Sequence, residues 1–235
     1  MRKLSLPILL FISFSFAGHT QKIDIIQNRG GGMLYNQKKV ASEAAPAKYE
    51  KVAHGSPYFS DSWMPGEVQM SEGTIQNDMQ IRLDLLEGAV LYMDHGQNMT
   101  VTTPLRSVSI KDPVTDKTYT FHNSAFYQFP ENMATGWYQL LVDGKARLYK
   151  RIEKKLTEET VFNSAATEEQ ISTSDQYFIV LDSDYTRIKK VKDIPDLLKS
   201  KKEEVKAYIK SNGLSGQSET DFSKTIIFYN SLFAK

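Results

Sequence analysis

The chain has no cysteine, and that absence removes several functions at once. Disulfides, thiolate metal sites and cysteine nucleophiles are all excluded. Histidine is scarce, with 4 in the chain, and no H-x-H or H-E-x-x-H spacing offers a local zinc site. No G-x-S-x-G elbow is present to expose a nucleophilic serine. Long apolar runs are also missing. The longest, Leu6 to Ala17, is 12 residues, short of the ~20 that a spanning helix needs.

That run follows the basic start Met1-Arg2-Lys3 and ends in small residues, with Ser15 and Ala17 placed as in a signal-peptidase site. It reads as a signal peptide over residues 1–17, cleaved after one of residues 17 to 20. The expectation is an exported protein, periplasmic, outer-membrane-associated or extracellular, with no transmembrane segment after cleavage. Export without disulfides suits a bacterial envelope. No cysteine follows the run, so no lipid anchor of the lipoprotein type is expected.

Charge of one sign is lacking too. Residues 18–144 carry 10 basic and 14 acidic groups and residues 145–235 carry 17 and 14, so the tail half is mildly basic. A nearly neutral exported chain without a recognisable nucleic-acid module argues against binding DNA or RNA. No sequence feature calls for a cofactor or a metal.

What is present is mostly β. Residues 18–52, with Gly30-Gly31-Gly32, lack a sustained apolar period and read as a flexible lead. From residue 53 to 192, short runs rich in β-branched and aromatic residues alternate with turn residues every 8–12 positions. Met79, Ile81 and Leu83 alternate with Gln80, Arg82 and Asp84, one face buried and one wet. "WYQLLVDGKARLYKRI" is a hairpin with Asp143-Gly144 at its turn. Residues 157–174 are polar and read as a loop or short helix. From 193 to 235 the period becomes helical: Asp193 reads as a cap, Asn212-Gly213 as a stop, and Ser218 with Asp221 as a capping box before Phe222, Ile226, Tyr229 and Phe233. The fold class expected is α+β, mainly β: an antiparallel β meander or half-barrel followed by two or three C-terminal helices.

"GSPYFSDSWMPGEVQMSEGTIQNDMQIRLDLLEGAVLY", the later "GKARLYKRIEKK" and the closing "FYNSL" resemble a loose pattern among uncharacterised secreted proteins of the Bacteroidota. The pattern joins an S-P-Y/F segment, an aromatic, a strand hairpin, an R-x-D strand and a lysine-rich helical tail. The resemblance implies export and a β body with C-terminal helices, and it brings no catalytic residue with it.

Two segments are candidates for function. "HGSPYFSDSWMPG", residues 54–66, gathers His54, Ser56, Ser60, Asp61 and Ser62, the residue types of a serine hydrolase. Triads are assembled from distant parts of a fold, however, and Ser-Pro and Pro-Gly are turn dipeptides. Tyr58, Phe59 and Trp63 therefore read as aromatic anchors or ligand contacts. "KARLYKRIEKK" places Lys145, Arg147, Lys150 and Arg151 on a strand, with Lys145, Arg147 and Tyr149 on one face and Ala146, Leu148 and Lys150 on the other. Such a ribbon could meet an acidic partner or blunt an edge strand. The expected function is non-catalytic binding of an apolar or glycan ligand or an envelope protein. A secreted hydrolase with a serine or carboxylate mechanism, and an interaction module working through the C-terminal helices, are the alternatives. The sequence leaves the oligomeric state open.

Overall fold

The computed structural model describes residues 39–127, 129, 133–160, 167–182 and 184–234. The signal peptide expected over residues 1–17 and the triple glycine lie outside them. In chain order the strands are β1 (Ser42–Ala44), β2 (Val52–His54), β3 (Met64–Met70), β4 (Ile75–Asp84), β5 (Ala89–Asp94), β6 (Gln97–Val101), β7 (Leu105–Lys111), β8 (Thr118–Asn123), β9 (Trp137–Val142), β10 (Ala146–Thr160), β11 (Thr167–Leu181) and β12 (Asp184–Ile188). Helices α1 (Ile194–Leu197), α2 (Lys202–Ser211) and α3 (Glu219–Ser231) follow.

The strands form a single open sheet in the order β1-β6-β5-β4-β3-β7-β8-β9-β10-β11-β12, all neighbours antiparallel. The mainly β body with C-terminal helices is thus the observed architecture. The meander has one break: β7 returns beside β3 instead of beside β6, whose outer side is taken by β1. Gly66 permits that return, because a Cβ there would lie 2.4 Å from the Ser109 carbonyl oxygen.

Alternation decides which face is buried. Val68 and Met70 of β3, Met79, Ile81 and Leu83 of β4, Val108 and Ile110 of β7 and Phe121 of β8 fill one core. Trp137 and Ile152 join it from β9 and β10, so the sheet curls until its two halves share an interior. A second core holds Ala146, Leu148 and Ile179 under the helices, which contribute Ile194, Leu198, Val205, Phe222, Ile226 and Tyr229. A third, on the opposite face of β9 to β12, packs Tyr138, Tyr149, Phe178 and Val180 beneath Phe129 and Met133.

Several local expectations change. Within the stretch read as a lead β1 pairs β6, and from its last residue β2 pairs β11 in parallel. Three-residue strands held by backbone bonds leave no side-chain period to read. Within the polar stretch 157–174, β10 and β11 run on as a ribbon, in register from Ala146 opposite Leu181 to Thr160 opposite Thr167. Apart from the buried Ile171, the described side chains of that ribbon's outer part are at least partly exposed, so the apolar alternation that marks a strand is missing. Asp193 makes no side-chain cap, because a short 3-10 turn, Val191–Asp193, precedes α1. Ser218 does cap α3, accepting the Asp221 N–H at 3.1 Å.

Candidate functional site

Residues 52–63 cross from one half of the curled sheet to the other. Val52 lies beside Glu169 of β11, and Gly55 then presses onto that strand with φ +84°. A Cβ at residue 55 would lie 2.1 Å from the Ile171 carbonyl oxygen, so only glycine fits. The chain next bonds to the end of β4: Phe59 N–H donates to Leu83 C=O at 2.8 Å and Leu85 N–H donates to Pro57 C=O at 2.9 Å. Tyr58 and Asp84 form an isolated antiparallel bridge.

Several side chains of this segment have partners within the fold. The Arg82 guanidinium carbon lies 4.4 Å from the Trp63 ring and 4.9 Å from the Tyr58 ring, stacked against both. Phe59 packs edge-on to Tyr119 at 5.0 Å and Phe121 at 4.9 Å. Buried Asp84 accepts from the Tyr49 hydroxyl at 2.7 Å and from the N–H groups of Leu86 at 3.0 Å and Glu87 at 2.9 Å, which ties the β4–β5 turn to the preceding loop. Burial, with the Asp84 carboxylate beside it, pushes the Tyr49 hydroxyl far above the usual phenol range. Ser56 donates to Asp61. His54 is exposed and bonds to no serine among the described residues.

Trp63, Phe59 and Tyr119 form the floor of a surface groove of about 300 Å³, with Ser60, Ser62 and Asp112 on its rim. Val114 stands at its end on the β7–β8 turn, 91% exposed. The turn is rigid. Asp112 accepts from Val114 N–H at 2.8 Å and from the Thr115 hydroxyl at 2.7 Å, and Lys111 pairs with Asp116 at 2.6 Å. Those bonds, the Thr115 hydroxyl first, hold the Asp112 carboxyl below the usual carboxylate range. A preorganised loop therefore presents an apolar tip beside an aromatic floor.

The four cations of the 145–151 stretch do not form one patch. Lys145 lies 4.9 Å from the Phe233 ring at the end of α3. Lys150 is largely covered and pairs with Asp175 at 2.8 Å and Glu219 at 3.1 Å, joining β11 and α3. Arg147 and Arg151 belong to the opposite face, 6.0 Å from the Tyr149 ring and 5.9 Å from the Tyr138 ring. There His122 shares a 2.8 Å hydrogen bond with the Tyr149 hydroxyl and stacks on Tyr127 at 4.1 Å. Burial, followed by the nearby Arg147 and Arg106 charges, lowers the His122 pKa to about 4, while Asp143 opposes the shift. The imidazole is neutral at neutral pH.

Sequence reasoning found the three aromatics of the 54–66 segment but missed Arg82, Tyr119 and Val114. Arg82 was visible only as the wet-side residue of an alternating strand, and as the R of the R-x-D pattern. A polar cleft of about 440 Å³ also lies where the β4–β5 turn approaches β10, between Glu87, Asn123, Arg151 and Lys154. Among the described residues no group of three His, Cys, Asp or Glu side chains is set to hold a metal, and no helix is long and apolar enough to cross a membrane. The chain matches no family model, no curated protein and no solved structure.

Proposed function

We propose that the chain is an exported, non-catalytic binding protein of a bacterial envelope, and that it takes a glycan on the groove floored by Phe59, Trp63 and Tyr119. The observation that carries this reading is the pairing of an aromatic floor with a rim of Ser60, Ser62 and Asp112. Sugar rings present apolar C–H faces and polar edges, and this groove offers the complement of both. The Arg82 guanidinium holds the Trp63 ring in place before any ligand arrives, which lowers the ordering cost of binding. The one serine of the segment bonded to a carboxylate, Ser56, has no histidine on it among the described residues, so this segment supplies no Ser-His-Asp set for the serine form of the hydrolase alternative.

Export rests on the basic start and short apolar run of residues 1–17. Mass spectrometry of the chain recovered from its own cells should give an N-terminus at Gly18 or within three residues of it. The binding reading is tested by calorimetric titration of the mature chain with neutral and N-acetylated oligosaccharides. The wild type should bind and Trp63→Ala should weaken binding tenfold or more. Binding of lipid monomers in place of any oligosaccharide would replace the glycan with an apolar ligand.

The interaction-module alternative draws less support. Phe222, Ile226 and Tyr229 are buried against the sheet, leaving Ile227 and Phe233 as the large apolar side chains exposed at the α3 end.

A further inference from the structure

Strand β9 accompanies β10 only as far as Lys150, and among the described residues nothing pairs with that edge of β10 beyond it, although β10 continues to Thr160. An edge of this length is a template for another strand, and edges are usually blunted by lysine or by a bulge. Here the register with β11 runs unbroken, and the charges are of both signs. Lys154, Leu156 and Glu158 share one face by the period of two, and Leu156 is 40% exposed. Within the hairpin Glu158 stands opposite Glu169, a like-charge pair that gains from a cation on its other side.

We propose that two copies of the chain pair antiparallel along this edge about a two-fold axis through Leu156, an interaction that goes beyond the groove reading. A two-fold normal to a sheet leaves each residue on its own face, so an edge can pair with its copy only in registers centred on a residue. Centred on Leu156, Lys154 of each copy stands opposite Glu158 of the other, Leu156 covers Leu156, and Lys155 meets Thr157 on the reverse face. Positions 153 and 159 are both acidic in sequence, which limits the ladder to five residues. The edge is self-complementary only because the lysine and the glutamate lie two residues either side of the leucine. The contact is isologous, as closed dimers require. Five residues bury well under the roughly 1,200 Å² of a standard interface, so the dimer belongs to the weak, transient class.

Sedimentation velocity on the mature chain from about 10 µM to 1 mM, the range of weak association, tests this. The wild type should shift toward dimer with concentration. Lys154→Glu and Glu158→Lys, each confirmed folded by circular dichroism, should weaken dimerisation at least tenfold, because each sets like charges across the axis. An equimolar mixture of the two variants restores both opposite-charge pairs and should dimerise as the wild type does. A wild type that stays monomeric throughout, single variants that dimerise normally, or a mixture no better than its components would each overturn the proposal.

Discussion

Asn230 and Ala146 exchange two hydrogen bonds across 84 residues of sequence: Ala146 N–H donates to Asn230 Oδ1 at 2.9 Å, and Asn230 Nδ2 donates to the Ala146 carbonyl at 2.9 Å. The carboxamide thus does for the edge of the β9–β10 hairpin what a neighbouring strand would do. A third bond, Nδ2 to the Asp143 carbonyl at 3.2 Å, fastens the turn itself. The "GKARLYKRIEKK" and "FYNSL" segments meet here, and Ala146 and Asn230 hold a helix to a sheet.

Asn230→Ala leaves the Ala146 N–H and carbonyl without partners beside a buried core, and it should cost about 1–3 kcal/mol in a denaturant titration. Gly144→Ala should be at least as damaging, because its Cβ would lie 2.5 Å from Asn230 Nδ2 at φ +144°. An unchanged midpoint for both variants would mean that the helix docks without this contact.

Gly55→Ala places a methyl group against the Ile171 carbonyl in a left-handed conformation, which should cost roughly 2 kcal/mol or more. Hydrogen exchange should localise the loosening to residues 52–63 and β11, since this segment links the two halves of the sheet.

Lys150 gathers carboxylates from β11 and α3 at a largely covered position. Burial opposes its charge, but the hydrogen bonds it donates to Asp175 and Glu219 outweigh that, and its pKa is raised. Lys150→Met leaves the two acids facing each other and should lower stability by about 1–2 kcal/mol, an effect muted by the partial exposure of both carboxylates. Adding Glu219→Gln should recover part of the loss.

Acid should weaken the third core. His122 has a folded-state pKa of about 4, below the ordinary histidine value, so the unfolded chain binds its proton first as pH falls. The stability from neutral His122 is complete above about pH 6.5 and is lost between there and about 4. With the ring partly exposed, the loss should be about 1 kcal/mol. NMR titration should show His122 titrating well below the ordinary histidine value, and His122→Gln should flatten the slope of stability against pH in that window.

Much of the body was legible because Met79, Ile81, Leu83 and the Asp143-Gly144 turn write their structure into a local period. The outer ribbon of β10 and β11 was not, since Lys154 to Glu158 and Glu168 to Asp175 offer only Leu156 and the buried Ile171 as apolar residues and carry no apolar alternation. Nor was the place of β7 beside β3, which depends on a close approach at Gly66 to residues more than forty positions away. The candidate site divides along the same line. Tyr58, Phe59 and Trp63 announce apolar contact by type, but Tyr119 and Val114 join them only through strand order. Arg82, read as a solvated face, is the clamp between two rings.

Two tryptophans make the groove reading directly measurable. Trp137 is buried with its Nε1–H donated to Gly88 C=O at 2.9 Å, a fixed internal control, while Trp63 is half-buried on the groove floor. In a two-dimensional NMR titration with oligosaccharide, the indole N–H signal of Trp63 should move and saturate while that of Trp137 stays in place. A Trp63 signal unmoved at saturating concentrations of every oligosaccharide tried, or movement confined to Trp137, would contradict the assignment of the groove as a glycan site.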